Sequence, residues 1–187
     1  LESIADGAID IVCAAQQEDG YLDTYYILNG KDRIFTNLRD HHELYCLGHL
    51  LEGAVAYYQA TGKDKLLKAA SRYADYVADY FGPEDGKCKG YPGHEIAEMA
   101  LVRLYETTQD PKYLKLAKYF IDERGTQPYY FDKEHPEEVK KNPNGLRYSY
   151  NQAHLPVREQ DEAVGHAVRA VYLYSGMADI ARLTEDD

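Results

Sequence analysis

The chain has few of the features that mark several large classes of protein. It has no tryptophan, and its three cysteines, Cys13, Cys46 and Cys88, are an odd number at wide spacing. Such cysteines do not make a disulfide framework and they favour a reducing compartment, so we expect a cytoplasmic protein. No apolar run approaches the roughly 20 residues of a membrane span, and the net charge of −11 argues against a nucleic-acid-binding surface. We therefore expect neither a membrane nor a nucleic acid as a partner.

Several catalytic motifs are missing as well. The sequence has no Gly-rich loop that would cradle a phosphate, no Gly-x-Ser-x-Gly nucleophile elbow and no Cys-x-x-Cys pair. Its 32 acidic residues follow no spacing that singles out two carboxylates for glycoside hydrolysis. No run of alternating β-branched residues indicates a strand. The pattern therefore predicts an all-α chain, and spacing alone identifies no catalytic residue.

What the chain does have is tyrosine, with 19 copies beside four phenylalanines. A tyrosine packs its ring while its hydroxyl group makes hydrogen bonds. The excess fits hydrated packing between helices, and it also fits a polar cleft lined with aromatic rings, as sugar sites have. With 44% hydrophobic and 28% charged residues, the 187-residue chain has the composition of one globular domain.

A motif recurs along the chain. Residues 58–75 and 105–122 match at seven positions, all at an offset of 47 residues. A third copy begins at Thr184 and is cut short at Asp187. A repeat of this length, two helices joined by a short turn, is typical of helical arrays and toroids. Because the third copy stops before its second helix, we expect the 187 residues to be a single partial domain, incomplete at its C-terminus.

Apolar periodicity predicts a series of helices. They are expected at 2–16, from Asn37 or Asp40 to about Ala60, at 64–81, from about His94 to Thr107, from Pro111 to Glu123, and from Glu159 to Leu183. Residues 21–35 are expected to form a loop, with a hairpin around Asn29-Gly30. The stretch 125–157 contains four prolines and is too long for an ordinary connection, so we expect it to be functional or mobile.

Helix pairs that repeat in this way either close into a toroid or remain an open solenoid. In a toroid the inner helices start at one mouth, so the residues at their N-terminal ends surround a central cleft. The candidate inner helices begin near Asp40, His94 and Gln160, and each start is rich in histidine and acidic residues. This arrangement predicts a shared polar cleft, although each histidine alone could serve as a helix cap or as part of a salt-bridged helix start.

A metal site is an alternative at the first of these starts. His42, Cys46 and His49 fall at i, i+4 and i+7 on one helical face, and histidine and cysteine are zinc ligands. The motif nearly matches His-Glu-x-x-His but has a cysteine where the second histidine would be. The other interpretation, which we favour, is a polar seam facing the cleft, with Cys46 packed as a small apolar residue.

Five stretches of the sequence also carry a family resemblance. They are Gln16–Leu22, Asn37–Tyr45, Gly90–Glu95, Tyr119–Gly125 and Pro156–Arg169. Together they resemble glycoside hydrolase family 127, the β-L-arabinofuranosidases, over essentially the whole chain. The resemblance implies an (α/α)6 toroid built from helical hairpins, followed by β-sandwich domains. It also implies retaining hydrolysis of terminal β-L-arabinofuranosides, such as those on hydroxyproline-rich glycoproteins.

The family's catalytic residues are not carried over to this chain. The resemblance implies a zinc-bound cysteine thiolate as nucleophile and a glutamate as general acid/base, and these residues lie beyond the matching segment. We therefore expect zinc in the full-length protein, but no cofactor, metal ligand or catalytic residue in this segment. None of its three cysteines matches the family's zinc motif.

What the resemblance assigns to this chain is recognition of a small carbohydrate. It implies that His42, His94 and His166 hydrogen-bond the arabinose hydroxyl groups, with Asp161, one turn before His166, as support. The segment alone is then expected to be inactive. Its unpaired apolar helix faces should be covered by self-association or by residues outside it.

Two other kinds of protein remain open at this point. Another (α/α)6 carbohydrate enzyme, such as an unsaturated uronyl hydrolase or a sugar epimerase, would need catalytic carboxylates or histidines inside this segment. A non-catalytic helical-repeat binding module would need a continuous concave surface and a polar terminal cap. The interrupted repeat at Asp187 supplies no such cap.

Overall fold

The computed structural model describes residues 1–142 and 147–186, and these residues form an all-α structure without strands. Asp187, the end of the third repeat copy, and residues 143–146 of the long segment lie outside the described residues. The α-helices are α1 (Glu2–Ala14), α2 (Thr24–Asn29), α3 (Glu43–Thr61), α4 (Lys65–Tyr80), α5 (Ala97–Thr108), α6 (Pro111–Glu123), α7 (Tyr130–Glu134), α8 (Pro136–Lys141), α9 (Arg147–Tyr150) and α10 (Ala167–Thr184). In the described part of the chain, no helix is both long and apolar enough to span a membrane.

The three copies of the sequence repeat share the same structure at the end of a helix. Helices α3, α5 and α10 each end on a threonine, at Thr61, Thr108 and Thr184. Each threonine hydroxyl donates a hydrogen bond to the carbonyl oxygen four residues earlier, over 2.7, 2.8 and 2.8 Å. The residue after each threonine then takes a left-handed conformation, which stops the helix. The predicted third copy therefore does begin at Thr184.

Helix α5 lies between α3 and α10, while α4 packs on α3 and α6 packs on α5. Two glycines bring the three central helices close together. A Cβ at Gly48 of α3 would lie 2.6 Å from Ile96 Cγ2, and one at Gly176 of α10 would lie 3.0 Å from Glu98 Cβ. A larger side chain at either position would push α5 away from its neighbour. The helices α3, α5 and α10 thus pack side by side, with α4 and α6 packed on them, and the arrangement of inner and outer helices in a closed toroid stays a prediction.

The structure corrects two of the predicted helix starts and one loop. Residues 21–35 do not form a hairpin, because the Asp23 side chain caps α2 by accepting a hydrogen bond from Tyr25 N at 3.0 Å. Helix α3 begins at Glu43, because Asn37 Oδ1 accepts from Asp40 N at 3.1 Å in a turn that precedes the helix. Helix α5 begins at Ala97, three residues after the predicted start.

The prediction for the last helix, from Glu159, is wrong in its first part. Residues 157–159 form a 3₁₀ turn, and α10 begins only at Ala167. Gly165 has a φ of +78°, and a Cβ there would lie 2.0 Å from Ser149 O. The chain therefore turns sharply at a position where only glycine fits, and the helix cannot pass through it. Asp161 lies in the irregular stretch before this turn.

The long segment contains the short helices α7, α8 and α9 among its described residues, 125–142 and 147–157. It is tied to the rest of the molecule through Arg124, whose side chain is 0% exposed at the end of α6. The Arg124 guanidinium donates to Asn151 O at 2.9 Å and to Pro92 O at 2.6 Å. One side chain thus joins the long segment to the chain that leads into α5.

Arg124 is also the cation of a buried charge cluster. Its Nη1 lies 3.0 Å from Glu95 Oε1 and its Nη2 lies 3.0 Å from Glu98 Oε1, and both glutamates are fully buried. The second oxygen of Glu98 accepts a hydrogen bond from Ile96 N at 3.1 Å. The cluster therefore fixes the backbone that enters α5.

We expect Arg124→Met to destabilise the fold by about 3–5 kcal/mol, because it leaves buried carboxylate charge without a partner. Urea denaturation of the native protein that contains these residues measures the loss. Arg158→Met is the matched control, since Arg158 is half-exposed and pairs with Asp122 at 2.7 Å on the surface. The control should cost at most about 1 kcal/mol. Equal losses in the two variants would contradict a structural role for the buried cluster.

Candidate functional site

The three histidines predicted to share a cleft come together. The ring centroids of His42 and His94 are 5.8 Å apart, and those of His94 and His166 are 6.0 Å apart. His94 is the middle ring of the three. Each histidine stands at or just before the N-terminal end of one of the three central helices, α3, α5 or α10. The prediction that these helix starts meet at one place is therefore confirmed by the geometry.

Each histidine is fixed by its own local structure. His42 is the N-cap residue of α3, and the next residue, Glu43, is buried and accepts hydrogen bonds from Tyr21 Oη (2.7 Å) and Phe35 N (2.9 Å). His166 is the N-cap residue of α10. The Glu43 contacts anchor the start of α3 to the loop that contains α2.

The backbone before His94 runs unusually close to the turn before α3. Gly93 N donates to Leu38 O at 3.0 Å, and a Cβ at Gly93 would lie 2.2 Å from the same oxygen. Asn151 Nδ2 donates to Gly93 O at 2.8 Å from the other side. Glycine is therefore required at this position so that His94 can reach the rings of His42 and His166.

His94 and His166 each use Nδ1 in a hydrogen bond with the backbone, and these bonds give their Nε2 atoms opposite hydrogen-bonding roles. Nδ1 of His94 lies 2.8 Å from Glu95 O, and because a carbonyl oxygen only accepts, Nδ1 carries the proton. Nε2 of a neutral His94 is then an acceptor. Nδ1 of His166 accepts from Arg169 N at 3.4 Å, so the proton of a neutral His166 is on Nε2, which is a donor. The pair can therefore hold a hydroxyl group that both donates and accepts.

The surroundings keep the central histidine uncharged. Burial lowers the pKa of His94 to about 4. The hydrogen bond to Glu95 O opposes this shift, and the positive charge of Arg169 adds to it. Burial and the same guanidinium also lower the pKa of His42. Arg169 is 7% exposed and fixed at the start of α10. At neutral pH the rings of His42 and His94 are thus uncharged, which suits hydrogen bonds with uncharged hydroxyl groups.

Aromatic rings complete the site. Tyr45 lies 4.4 Å from His94 and 5.5 Å from His42, between ring centroids, and Tyr172 lies 6.2 Å from His94. Two of the 19 tyrosines thus lie beside the histidine rings, and the interpretation of the tyrosine excess as the lining of a polar cleft stays a prediction. The sequence analysis did not single out Tyr45, Tyr172 or Arg169. Tyr45 at i+3 from His42 and Arg169 at i+3 from His166 share helical spacing with those histidines, which was a usable signal.

The structure places Asp161 differently from the prediction. Asp161 is exposed and lies in the irregular stretch before Gly165. It is therefore not one helical turn before His166, and the expected common helix face does not exist. The sharp turn at Gly165 separates the two residues.

Metal ligands are a separate question at this site. Among residues 1–142 and 147–186, no group of three or more histidine, cysteine, aspartate or glutamate side chains is arranged to hold a metal ion. His42 precedes α3, whereas Cys46 and His49 are exposed on it. The described residues thus do not fit the family's zinc, and no step through zinc is derived for this chain.

The turn that leads into His42 is held from the long segment. Glu134 of α7 accepts hydrogen bonds from Leu38 N at 2.7 Å on one carboxylate oxygen and from Arg39 N at 3.1 Å on the other. Arg39 Nη2 in turn lies 2.6 Å from Glu138 Oε2 of α8. Through Glu134 and Glu138 the long segment therefore binds the turn that precedes His42. A functional role of the segment stays a prediction.

Comparison with known proteins gives consistent matches. The family model described as the GH127 catalytic domain of β-L-arabinofuranosidase matches residues 1–187. The non-reducing end β-L-arabinofuranosidase of Bifidobacterium longum subsp. longum is 42% identical over 194 residues, covering all of this chain and 30% of that protein.

Solved structures agree with these sequence matches. A GH127 β-L-arabinofuranosidase from Geobacillus stearothermophilus T6 has a TM-score of 0.93 at 51% identity, over 99% of this chain and 29% of that one. Another GH127 β-arabinofuranosidase has a TM-score of 0.84 at 48% identity, over 98% and 28%. The chain thus spans about 30% of the length of the curated relative it matches.

We expect Arg169→Met to raise the pKa of His94 from about 4 toward its ordinary value of 6.5, because a nearby positive charge is removed. Titration of the histidine Cε1–H resonances by NMR measures the change. Arg182→Met, which removes an exposed guanidinium from the far end of the same helix, should leave the pKa of His94 in place. An unchanged His94 in Arg169→Met would show that burial alone keeps the ring neutral.

Glu134→Gln should displace the turn before α3, because the amide can accept only one of the two backbone hydrogen bonds. We expect a changed Cε1–H chemical shift for His42, an unchanged one for His166, and a loss of stability of about 1–3 kcal/mol. Glu137→Gln, on the exposed face of α8, is the control and should alter neither. Equal shifts of the two histidines would mean that Glu134 supports the fold in general and not the turn.

Proposed function

The chain belongs to glycoside hydrolase family 127, the β-L-arabinofuranosidases, and from this premise we propose that it forms the substrate-recognition part of an arabinofuranosidase pocket. The observation that carries the proposal is the convergence of three histidines. The ring centroid of His94 lies 5.8 Å from that of His42 and 6.0 Å from that of His166. The native protein would remove terminal β-L-arabinofuranosyl groups with retention of configuration.

In this proposal the histidines bind and orient the terminal sugar. A hydroxyl group of the sugar donates to Nε2 of His94, while Nε2–H of His166 donates to a hydroxyl oxygen. Neutral imidazoles are required for the first of these contacts, since a protonated His94 would have no acceptor. Tyr45 and Tyr172 lie against the imidazoles and reduce their contact with water, which strengthens these hydrogen bonds.

We propose that the nucleophile and the general acid/base come from residues outside this chain. The two glutamates next to the site histidines are turned away from it. Glu43 is bound by Tyr21 Oη and Phe35 N, and Glu95 lies against Arg124. Burial raises the pKa of Glu43 to about 7 and that of Glu95 to about 8, yet neither carboxyl group is exposed to a ligand. Raised pKa values here reflect structural burial, not acid catalysis.

In the native protein, replacing His42, His94 or His166 with alanine should lower kcat/KM for p-nitrophenyl β-L-arabinofuranoside by about 10- to 100-fold each, because each loses a hydrogen bond to the substrate. Lys68→Ala, on the exposed face of α4, is the control and should retain wild-type kinetics. Full activity in all three histidine variants would contradict the proposed recognition role.

A matched assay separates recognition from catalysis. The 187-residue chain and the native protein are compared with the same substrate, zinc and reductant, after circular dichroism has shown that both are helical. We expect hydrolysis by the native protein only. Hydrolysis by the chain alone would place the chemistry among the three histidines and their acidic neighbours. If neither hydrolyses the substrate, the proposed arabinofuranoside specificity is wrong.

A further inference from the structure

One exposed aromatic ring lies directly beside the site. Tyr150, the last residue of α9, is 46% exposed. Its ring centroid is 5.5 Å from that of His166, with the ring planes at 70°. Five tyrosines in the described residues are more than a third exposed, and Tyr150 is the one among them whose ring contacts a site histidine. The others are Tyr25, Tyr58, Tyr80 and Tyr174.

The Tyr150 ring is backed by a cation and partly exposed. The Arg169 guanidinium carbon lies 4.7 Å from the ring centroid, over one face. Arg169 is itself buried, at 7% exposure, so the guanidinium backs the ring from the protein side. Tyr150 as a whole is nearly half-exposed, so part of the residue is in contact with solvent. A flat apolar surface therefore stands at the rim of the site.

The backbone fixes this surface relative to His166. His166 N donates to Tyr150 O at 3.2 Å. Gly165 passes so close to Ser149 O, with its would-be Cβ at 2.0 Å, that the two chain segments cannot separate without losing the turn. The orientation of the ring is thus set by the same turn that sets the His166 side chain.

We propose that Tyr150 is the platform for a second sugar ring, the unit to which the terminal arabinofuranosyl group is linked. This inference rests on the proposed function, in which His166 holds the terminal sugar. A sugar ring has an apolar C–H face that packs on an aromatic ring, while its hydroxyl groups remain in water. A partly exposed ring that is backed by a buried guanidinium and lies 5.5 Å from His166 is placed for this contact.

The position also defines what Tyr150 contributes. Its ring supplies contact area to the linked unit, whereas recognition of the terminal sugar is left to the three histidines. The preference of the pocket for a disaccharide over a simple glycoside should therefore depend on the ring and not on the phenolic hydroxyl group.

The test compares two substrates in the native protein. The first is methyl β-L-arabinofuranoside, and the second is a disaccharide of two β-linked L-arabinofuranosyl units. In Tyr150→Ala the ratio of kcat/KM for the disaccharide to kcat/KM for the methyl glycoside should fall about fivefold, as expected for the loss of one aromatic contact. Tyr150→Phe should keep the wild-type ratio because it keeps the ring. Tyr174→Ala removes an exposed tyrosine elsewhere on α10 and should also keep the ratio.

Each other outcome counts against the platform. An unchanged ratio in Tyr150→Ala means that the ring contacts no second unit. Equal losses on both substrates mean that Tyr150 acts through His166. A lowered ratio in Tyr150→Phe assigns the effect to the hydroxyl group. These results leave the proposed function intact, whereas a wild-type protein that hydrolyses neither substrate overturns the proposed function and the platform together.

Discussion

The site depends on a buried guanidinium that never reaches it. Arg124 gathers Glu95 and Glu98 from the start of α5, and it also binds the carbonyl groups of Pro92 and Asn151. Burying these charges is costly, and the cluster balances because burial raises the pKa of Glu95 to about 8. The raised pKa of Glu95 favours its uncharged form in this cluster, next to Arg124. In the unfolded chain this carboxyl group ionises near 4.5, so the stability from its proton is lost as the pH rises toward 8.

This cluster also holds the backbone around the site. Arg124 binds Pro92 O and Asn151 binds Gly93 O, and Gly93 N in turn donates to Leu38 O in the turn before α3. The backbone at His42, His94 and the long segment is thus cross-linked by hydrogen bonds between residues far apart in sequence. Such cross-links fix the relative positions of the histidine rings, and position matters because a hydrogen bond weakens steeply as its geometry departs from linear.

The parts of the fold that the sequence predicts are those with local causes. The threonine hydroxyls at Thr61, Thr108 and Thr184 bond within their own helices, so the repeat reveals three helix ends directly. The meeting of the three histidines is not local, and it was expected only from the starts of the candidate inner helices taken together with the family resemblance. Other non-local contacts were not predictable, and Glu134 is an example, since its partner Leu38 lies 96 residues away. The start of α10 was missed because Gly165 is dictated by the carbonyl group of Ser149, which no periodicity reports.

The two acidic residues next to the site histidines are also placed by non-local contacts. A carboxylate buried beside a histidine would normally suggest proton transfer. Here Glu43 follows His42 in the sequence and Glu95 follows His94. The side chains of both glutamates point away from the histidines, toward Tyr21 and Arg124 in the core. The backbone that directs each imidazole toward the site therefore directs the next residue, Glu43 or Glu95, into the core, where it stabilises the fold. The result is a cluster of three imidazole rings whose neighbouring glutamates, Glu43 and Glu95, are bound by the core and not by the site.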